Sequence, residues 1–322
     1  MDGNVKIKML DETLNIMKQG WYEKDGNRIE LKLSQAEMKD AQVFLEEDVE
    51  KFCNDPEFQP PFAPKGTYCI HGYKRRDAFY MARTRAEEDG EKILVLNFAT
   101  PTFPGGDVRK GIDAQEADLC RSSSLLLSLE SENAKKFYDH HNKVQNRFWT
   151  DSMILTPKVE IIRDQNGDLL DETLVVSVLS CTAPDIKGTG INRTVDSYCD
   201  LLYKRIRSII WFAAYHGYKN LILGAWGCGE FGNNANYVSD LFARVLLSRY
   251  NGRCEHDLFE HIDFAVFDNT EERYNLIHFK RNFIEPILYI LQELVQLTED
   301  DFFQYASSDV VGGAFVRSVC IG

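Results

Sequence analysis

The chain has 322 residues, 44% of them hydrophobic and 27% charged, and its 37 lysines and arginines against 50 aspartates and glutamates give a formal net charge of −13. This composition is typical of a globular protein and excludes a disordered or fibrous chain. The acidic balance argues against nucleic acid or an anionic membrane surface as the main partner, because both repel a negatively charged protein.

The N-terminus and the cysteines indicate a soluble protein of a reducing compartment. The first 20 residues lack a continuous apolar stretch with a small-residue cleavage site, and no apolar run has the length needed to span a bilayer. The eight cysteines include no CxxC pair, so neither a zinc site nor a disulfide framework is predicted. We expect a cytoplasmic protein, with the nucleus and delivery into a host cytosol as open alternatives.

Apolar runs alternate with amphipathic segments along most of the chain. Buried strands are predicted at four runs rich in β-branched and aliphatic residues: Ile93 to Ala99, Thr173 to Cys181, Asn220 to Ala225 and Asp263 to Phe267. Helical periodicity predicts helices at Arg76 to Glu88, Ala114 to Leu129, Thr194 to His216 and Ala235 to Tyr250. This alternation is typical of an α/β fold.

The two ends of the chain differ in pattern from its middle. The N-terminal part carries an amphipathic stretch from Asp11 to Lys18, an alternating run from Arg28 to Leu33 and a helical pattern from Ser34 to Phe52, and it closes with the proline-rich PEFQPPFAP. We therefore predict a helical N-terminal extension at residues 1–64, a core domain at 65–297 and a peripheral C-terminal tail at 298–322.

A glycine-rich loop follows the third predicted strand, where ligands of open α/β sheets bind. The sequence GAWGCGEFGNN, from Gly224 to Asn234, has four glycines in nine residues and precedes a predicted helix. Such a loop lets backbone amides approach an anion, and the helix N-terminus adds a favourable potential. It matches neither a Walker A loop nor GxGxxG, so a pyrophosphate cradle and a tight structural turn both stay open.

The loop after the first predicted strand pairs two glycines with three carboxylates. Gly105 and Gly106 precede Asp107, Asp113 and Glu116, which lie at a junction between loop and helix. Spaced three apart, the last two can share one face of a first helical turn. One interpretation is a capping pair, with Asp113 as N-cap, and the other is a group of functional carboxylates.

The segment NFATPTFPGGDVRKGIDAQEADLCRSSSL resembles the signature of the microbial-type poly(ADP-ribose) glycohydrolase family, a macrodomain group whose motif runs Gly-Gly-Gly, a short spacer and Gln-Glu-Glu. WTDSMILTPKVEIIRDQNGDLL, SCTAPD, GAWGCGEFGNN and VFDNT resemble the same family in the expected order, so the resemblance covers roughly residues 8 to 290. It implies a three-layer α/β/α macrodomain with a mixed, mostly parallel sheet and a helical N-terminal extension, which holds ADP-ribose across the strand ends.

The resemblance also implies ligand contacts. The pyrophosphate would be wrapped by Gly224, Ala225, Trp226, Gly227, Cys228 and Gly229. Phe231 would flank the distal ribose, which Asn97, Gly105 and Gly106 would border, and the start of the Gln115-Glu116 helix would face its anomeric carbon. The candidate segments for the adenine are Tyr68 to Tyr73 and Phe264 to Asn269. We predict no metal and no cofactor, with ADP-ribose as the ligand.

Two positions depart from the family motif. The third glycine is Asp107, and the second glutamate of Gln-Glu-Glu, which is the family's general acid, is Ala117. Alanine cannot transfer a proton, so the family mechanism cannot operate unchanged. Glu116 is adjacent, but one step along a helix turns a side chain by about 100°. Either the chain is an inactive ADP-ribose reader, or the acid has moved because the scissile bond differs.

We predict an ADP-ribosyl hydrolase that acts on modified proteins by cleaving the N-glycosidic bond of mono-ADP-ribosyl-arginine. Asp107 and Asp113 would hold the guanidinium, and Glu116 would activate water or protonate the leaving nitrogen. Crowded carboxylates raise one another's pKa, which would keep one of them protonated near neutral pH. The alternatives are a poly(ADP-ribose) glycohydrolase and an inactive reader. The expected partners are ADP-ribose and an ADP-ribosylated protein, without nucleic acid or membrane.

Overall fold

A computed structural model describes residues 2–60, 62, 67–72, 78–88, 92–144, 146–191, 196–250, 253–268 and 272–283. The chain divides into two compact units, one formed by Met1–Asp55 and Asp77–Pro184 and the other by Pro56–Arg76 and Asp185–Gly322. The domain boundaries predicted at residues 64 and 297 stay predictions. The predicted tail at 298–322 lies outside the described residues.

Helices and strands alternate as the sequence predicts. The helices are α1 Gly3–Gln19, α2 Gln35–Met38, α3 Glu46–Cys53, α4 Ala78–Glu88, α5 Gln115–Ser122, α6 Leu125–Leu129, α7 Glu132–His141, α8 Asp196–Tyr215 and α9 Ala235–Leu247. Residues 274–283 are also helical. Short 3-10 turns lie at Val108–Lys110 and Glu255–Leu258. None of the helices in the ranges given above is long and apolar enough to cross a lipid bilayer.

The strands are short in general, with two long exceptions. They are β1 Trp21–Lys24, β2 Asn27–Glu30, β3 Gln42–Phe44, β4 Thr67–Gly72, β5 Ile93–Phe98, β6 Met153–Arg163, β7 Leu169–Cys181, β8 Asn220–Leu223, β9 Arg249–Tyr250, β10 Arg253–Cys254 and β11 His261–Val266. The pairs β1–β2 and β9–β10 form separate antiparallel hairpins. The remaining strands build the sheet structure of the two units.

In the first unit the strand order is β3-β6-β7-β5. The pairs β3–β6 and β6–β7 are antiparallel, and β7–β5 is parallel. The parallel register places Asn97, near the end of β5, opposite Ser180 of β7. The carboxyl ends of these two strands therefore lie at the same edge, where the loop after β5 begins.

In the second unit β11 pairs in parallel with β8 on one side and β4 on the other. β8 is buried along its whole length, and three of its four residues are apolar. The glycine-rich loop follows β8, and α9 follows the loop. Asn234 caps α9, because its side chain accepts a hydrogen bond from Tyr237 N.

The predicted α/β fold with a mixed, mostly parallel sheet is confirmed. Each of the four predicted strands is present: β5, β7, β8 and β11 coincide with the apolar runs to within a few residues. α4 and α8 also match their predicted segments. Strands that are buried on both faces of a sheet are mostly apolar, so they are the easiest elements to identify from sequence.

Three predicted helices are wrong in extent. The segment Ala114 to Leu129 is interrupted between α5 and α6, because Ser123 bridges to Ile161 and Ser124 N donates to Glu160 O at 3.0 Å. The segment Ser34 to Phe52 is divided into α2 and α3 by β3, which pairs with β6. α9 ends at Leu247 rather than Tyr250, since the next residues form the β9–β10 hairpin. In the first two cases pairing with a distant strand overrides the local periodicity, and in the third a local hairpin does.

The sequence did not predict β6, because charged residues interrupt its apolar pattern. Glu160 is 0% exposed and Arg163 is 4% exposed. The Glu160 carboxylate accepts hydrogen bonds from Lys32 N at 2.6 Å, Leu33 N at 3.0 Å and Thr173 Oγ1 at 2.6 Å. A buried carboxylate is tolerated when donors surround it in this way. Glu160 thereby fastens the segment after β2 to β6.

We expect Glu160→Ala to lower the free energy of unfolding by about 2 to 4 kcal/mol, because two backbone amides and one hydroxyl would lose their acceptor inside the protein. Urea denaturation measures the change. Glu172→Ala is the control, since the Glu172 side chain is 83% exposed and its removal should cost less than about 1 kcal/mol. Equal losses in the two variants would show that the buried contacts of Glu160 contribute little.

Candidate functional site

The start of α5 is fastened to the end of β5 by Gln115. Its Oε1 accepts from Phe98 N at 2.9 Å, and its Nε2 donates to Leu96 O at 2.8 Å. The sequence predicted a ligand contact for Gln115. The structure corrects this for the side chain, because both ends of the amide are used by the strand. Gln115 instead fixes where the next residue, Glu116, lies.

Glu116 is enclosed between β5 and α5 and is only 2% exposed. Its Oε1 accepts a hydrogen bond from Asn97 Nδ2 at 3.1 Å, and its Oε2 accepts one from Thr100 N at 3.0 Å. Asn97 belongs to β5, and Thr100 follows that strand by two residues. The carboxyl is therefore held from both sides by the chain at the end of β5.

Asn97 has one buried polar atom without a partner. Its Nδ2 donates to Ser180 Oγ at 2.9 Å as well as to Glu116, whereas its Oδ1 accepts no hydrogen bond from the described part of the chain. A buried acceptor without a donor is costly, and such atoms in native proteins call for an explanation. A hydroxyl donated by a ligand would satisfy it.

Burial raises the pKa of Glu116 to about 7, against an ordinary value of 4.5. Loss of water around the carboxylate is the main cause, and the hydrogen bonds from Thr100 and Asn97 oppose it only in part. Glu116 is therefore close to half protonated near neutral pH. The predicted cause, repulsion between crowded carboxylates, is wrong: none of the contributions to this shift comes from another acidic side chain.

The Gly105-Gly106 turn lies beside Glu116 and has no side chains. Both residues have positive φ, +68° and +54°, in the left-handed region that favours glycine. A Cβ atom on Gly106 would lie 2.7 Å from Thr100 Oγ1 and 3.5 Å from Glu116 Oε2. The turn therefore passes directly beside the Glu116 carboxyl and leaves no room for a side chain there.

Asp107 and Asp113 do not share the environment of Glu116. Asp107 pairs with Lys110 at 2.9 Å, with 39% of its side chain exposed. The Asp113 side chain is 81% exposed and pairs with Lys6, which holds the pKa of Asp113 below its usual range. The predicted group of three similar carboxylates is thus corrected to one buried acid and two aspartates paired with lysines.

The capping interpretation of Asp113 is also wrong. The N-cap of α5 is Ala114, which has no side chain able to accept a hydrogen bond. Ala117, the residue after Glu116, is 1% exposed and supplies no acidic group. Among the described residues, no three His, Cys, Asp or Glu side chains are grouped so that they could hold a metal ion.

The glycine-rich loop of the second unit is folded by its own backbone. Trp226 N donates to Gly224 O at 2.8 Å, Cys228 N to Ala225 O at 3.1 Å, and Gly232 N to Gly229 O at 3.0 Å. The amides of Gly227 and Gly229 donate to no acceptor in the part of the chain that the structure describes. Gly229 borders open space on its side-chain side. Unused amides on an exposed glycine loop are suited to an anion.

Two side chains in this loop have structural roles rather than predicted ligand contacts. Trp226 is 0% exposed and packs in the core, so only its backbone can border a ligand. Cys228 Sγ contacts Trp226 O at 3.6 Å, and burial raises the pKa of the Cys228 thiol. A thiol with a raised pKa is a poor nucleophile. Phe231 remains partly exposed, and its carbonyl accepts from Ile186 N at 3.0 Å.

The sequence reasoning missed the residues that hold these loops. In the second unit, Asn233 Nδ2 donates to Gly227 O at 2.9 Å, and Tyr198 OH donates to Asn233 Oδ1 at 2.6 Å. In the first unit, Thr100 N donates to Glu116 Oε2, and Ser180 Oγ accepts a hydrogen bond from Asn97 Nδ2. Thr100 and Asn233 lie inside the quoted motifs, which was the available signal. Tyr198 lies on α8, where only the fold reveals its partner.

The raised pKa of Glu116 predicts a specific pH dependence of stability. Between about pH 4.5 and pH 7 the folded state binds more protons than the unfolded state, so the free energy of unfolding falls as the pH rises. The full shift corresponds to about 3 kcal/mol. Glu116→Gln cannot lose a proton, so its stability relative to the parent should rise between about pH 5 and about pH 8 in urea denaturation. If the difference in free energy of unfolding between Glu116→Gln and the parent stays constant with pH, the raised pKa of Glu116 is contradicted.

Comparison with known proteins gives a consistent assignment. A family model for the catalytic domain of microbial-type poly(ADP-ribose) glycohydrolase (PARG) matches residues 11–164. The PARG of Thermomonospora curvata, solved with the inhibitor ADP-HPD, is 29% identical over 87% of this chain and 100% of that chain, with a TM-score of 0.76. A PARG mutant of Deinococcus radiodurans, solved with ADP-ribose, is 30% identical over 79% of this chain and 98% of that chain, with a TM-score of 0.69. No curated protein matches the chain.

The predicted family and the predicted enzyme class are confirmed by these matches, since members of the family are glycohydrolases that cleave glycosidic bonds of ADP-ribose. The chain belongs to the microbial-type PARG family.

Proposed function

We propose that the protein binds ADP-ribose and hydrolyses its anomeric bond to a protein side chain or to another ADP-ribose unit. The observation that carries this proposal is Glu116, a buried carboxyl whose pKa of about 7 lies in the motif that identifies the family. Proton transfer is most efficient when the pKa of the catalytic group is close to the working pH. Glu116 meets this condition through burial, since no acidic side chain is among the causes of its raised pKa.

Glu116 is the strongest candidate because the alternatives in the motif are unsuited to carry a proton. Ala117 has no titratable group, and Asp113 is kept ionised by Lys6. In the proposed reaction, water attacks the anomeric carbon and the bond to the leaving atom breaks with its electron pair. Glu116 donates its proton to the leaving atom and regains one from the attacking water. Water and this carboxyl suffice for the step, so we propose that no metal or cofactor takes part.

Separate features support the binding of each part of ADP-ribose. Asn97 Oδ1 lacks a donor and suits a ribose hydroxyl. The unused amides of Gly227 and Gly229 suit a pyrophosphate. Of the segment predicted for the adenine, Phe264 is 0% exposed and belongs to the core, whereas Phe267, directly after β11, is 51% exposed. We assign adenine stacking to Phe267, since an exposed ring at a strand end can stack on a base.

The predicted preference for arginine-linked ADP-ribose now depends on Asp107 alone. Asp113 is already held by Lys6, whereas the Asp107–Lys110 pair lies at the surface, where ion pairs contribute only about 0 to 1 kcal/mol. A guanidinium can therefore replace Lys110 at little cost and pair with Asp107. A polymeric substrate, which the names of the solved relatives indicate for those proteins, carries no such cation.

We expect Gly229→Val to weaken ADP-ribose binding at least about 10-fold while leaving the melting temperature unchanged. A side chain at Gly229 meets no atom within 4 Å and the backbone there is not left-handed, so the fold accepts it, but it would occupy the space beside the loop amides. Isothermal titration calorimetry with ADP-ribose measures the change. Glu230→Ala, at an 82% exposed side chain in the same loop, should bind like the parent.

The decisive experiment measures release of ADP-ribose from arginine-linked, glutamate-linked and polymeric substrates, with EDTA present. We expect turnover of at least one substrate with an alkaline decline near pH 7. Glu116→Gln keeps the size of the side chain but has one acceptor oxygen instead of two and no carboxyl proton, and it should lose about 100-fold or more in turnover. Binding of ADP-ribose should change by less than about 3-fold. Glu172→Gln, at an exposed surface position, is the control.

The outcomes separate the candidate functions. Turnover that Glu116→Gln leaves unchanged would refute Glu116 as the proton carrier. Binding without turnover of any substrate would establish an ADP-ribose reader instead of an enzyme. If the arginine conjugate is preferred and Asp107→Ala abolishes that preference, Asp107 determines the specificity for arginine-linked ADP-ribose. If the polymer is preferred, the arginine specificity is wrong.

A further inference from the structure

The first turn of α1 packs against the loop that joins the glycine turn to Glu116. Gly111, which ends the 3-10 turn Val108–Lys110, has φ +72°. A Cβ atom on Gly111 would collide with Gly3 O and lie 2.9 Å from the carbonyl carbon of Gly3. No side chain fits between these two backbones. The loop and the first turn of α1 are therefore in direct backbone contact.

Lys6 makes a charged link between α1 and the same loop. The residue is 5% exposed, and its Nζ donates to Asp113 Oδ1. An ammonium group is seldom buried in proteins unless it is paired, because desolvation of the charge is costly. Asp113 supplies the partner and lies three residues before Glu116. Lys6 thus fixes the loop immediately before the turn of α5 that carries the buried acid.

A second link joins α1 to the far end of α5. Thr13 Oγ1 donates to Arg121 O at 2.6 Å. Arg121 is 1% exposed, and its guanidinium donates to Ile112 O at 3.0 Å and to Asp118 Oδ1. Arg121 therefore connects the end of α5 back to the loop beside Gly111. Both ends of the segment from Gly111 to Arg121 contact α1.

α1 is itself attached to the sheet. Arg163 of β6 donates to Glu12 Oε2 at 2.6 Å and to Thr13 Oγ1 at 3.0 Å, and it is only 4% exposed. The contacts form a continuous path from β6 through α1 to the loop and to α5. Rigid secondary structure can hold a functional group more accurately than a loop alone.

We infer that α1 is a positioning element of the proposed active site and that Lys6, acting through Asp113, is a positioning residue for Glu116. The inference rests on the proposed function, because it gives the accurate placement of Glu116 a catalytic purpose. It also assigns Asp113 to the support of the loop rather than to contact with the substrate. Displacement of a catalytic group by about 1 Å can cost up to 100-fold in rate, so loosening this loop should affect turnover.

The test is a double-mutant cycle on the full chain with Lys6→Met, Asp113→Asn and the combined variant. Each is measured by hydrogen exchange of residues 105–116 without ligand, by kcat and KM, and by thermal unfolding. Lys6→Met should increase exchange in the loop and lower kcat about 10-fold, with KM changed by less than about 3-fold. Asp113→Asn should have the same effects, and the double variant should be no worse than either single variant, because both remove one interaction.

Lys8→Met is the matched control, since Lys8 is an exposed lysine on the same helix. This variant should have the same hydrogen exchange in residues 105–116 and the same kcat as the parent. Asp113 is exposed, so Asp113→Asn keeps the test informative if Lys6→Met fails to fold. The inference is overturned if Lys6→Met leaves both exchange and kcat unchanged, if the two single effects multiply, or if only Asp113→Asn is impaired, as direct substrate contact would require. If the parent has no turnover, the proposed function fails, but the exchange data still decide whether Lys6 and Asp113 hold the loop.

Discussion

The central constraint in the first unit is the burial of one carboxyl at the junction of β5 and α5. A carboxylate removed from water is destabilised unless donors reach it, and the donors to Glu116 in the described part of the chain are Thr100, through its backbone and side chain, and Asn97 Nδ2. The balance leaves its pKa at about 7, so the group exchanges a proton near neutral pH. The surrounding contacts fix the position of the Glu116 carboxyl. Gln115 joins α5 to β5, and Gly106 has no side chain beside the carboxyl.

This arrangement gives a physical account of how burial can keep a carboxyl protonated near neutral pH. Ala117 has no titratable group, whereas Glu116, the residue before it, is buried deeply enough to hold a proton near neutral pH. Environment rather than residue identity decides whether a carboxyl is an acid or an ion in proteins. Asp113 illustrates the opposite case, because a lysine partner stabilises its charged form.

The supporting polar network is spread along the sequence and is built on buried charged side chains. Glu160 and Arg163, both on β6, connect the N-terminal region to the sheet through backbone amides and the side chains of α1. A buried charge adds little net stability, since desolvation offsets much of the attraction, but it penalises any arrangement in which its partner is missing. They therefore specify one position for α1 and for the loop that it contacts.

Several features follow from the sequence alone, because local composition is sufficient for them. Mostly apolar runs rich in β-branched and aliphatic residues identify β5, β7, β8 and β11, which are buried along most of their length. The glycine loop and the pair Gly105-Gly106 are visible because positive φ and close backbone approach require glycine. The order of the motifs identifies the family.

Other features depended on tertiary structure, because they arise from residues distant in sequence. The strand β6 carries charged residues that are tolerated only through partners more than 100 positions away, such as Lys32 and Glu12. The division of the predicted helix after Ser122 results from pairing with that strand. The three carboxylates of the motif look alike in sequence, and only their surroundings distinguish the buried Glu116 from Asp113, which Lys6 of α1 holds ionised. Desolvation and pairing depend on three-dimensional neighbours, so no local pattern could separate them.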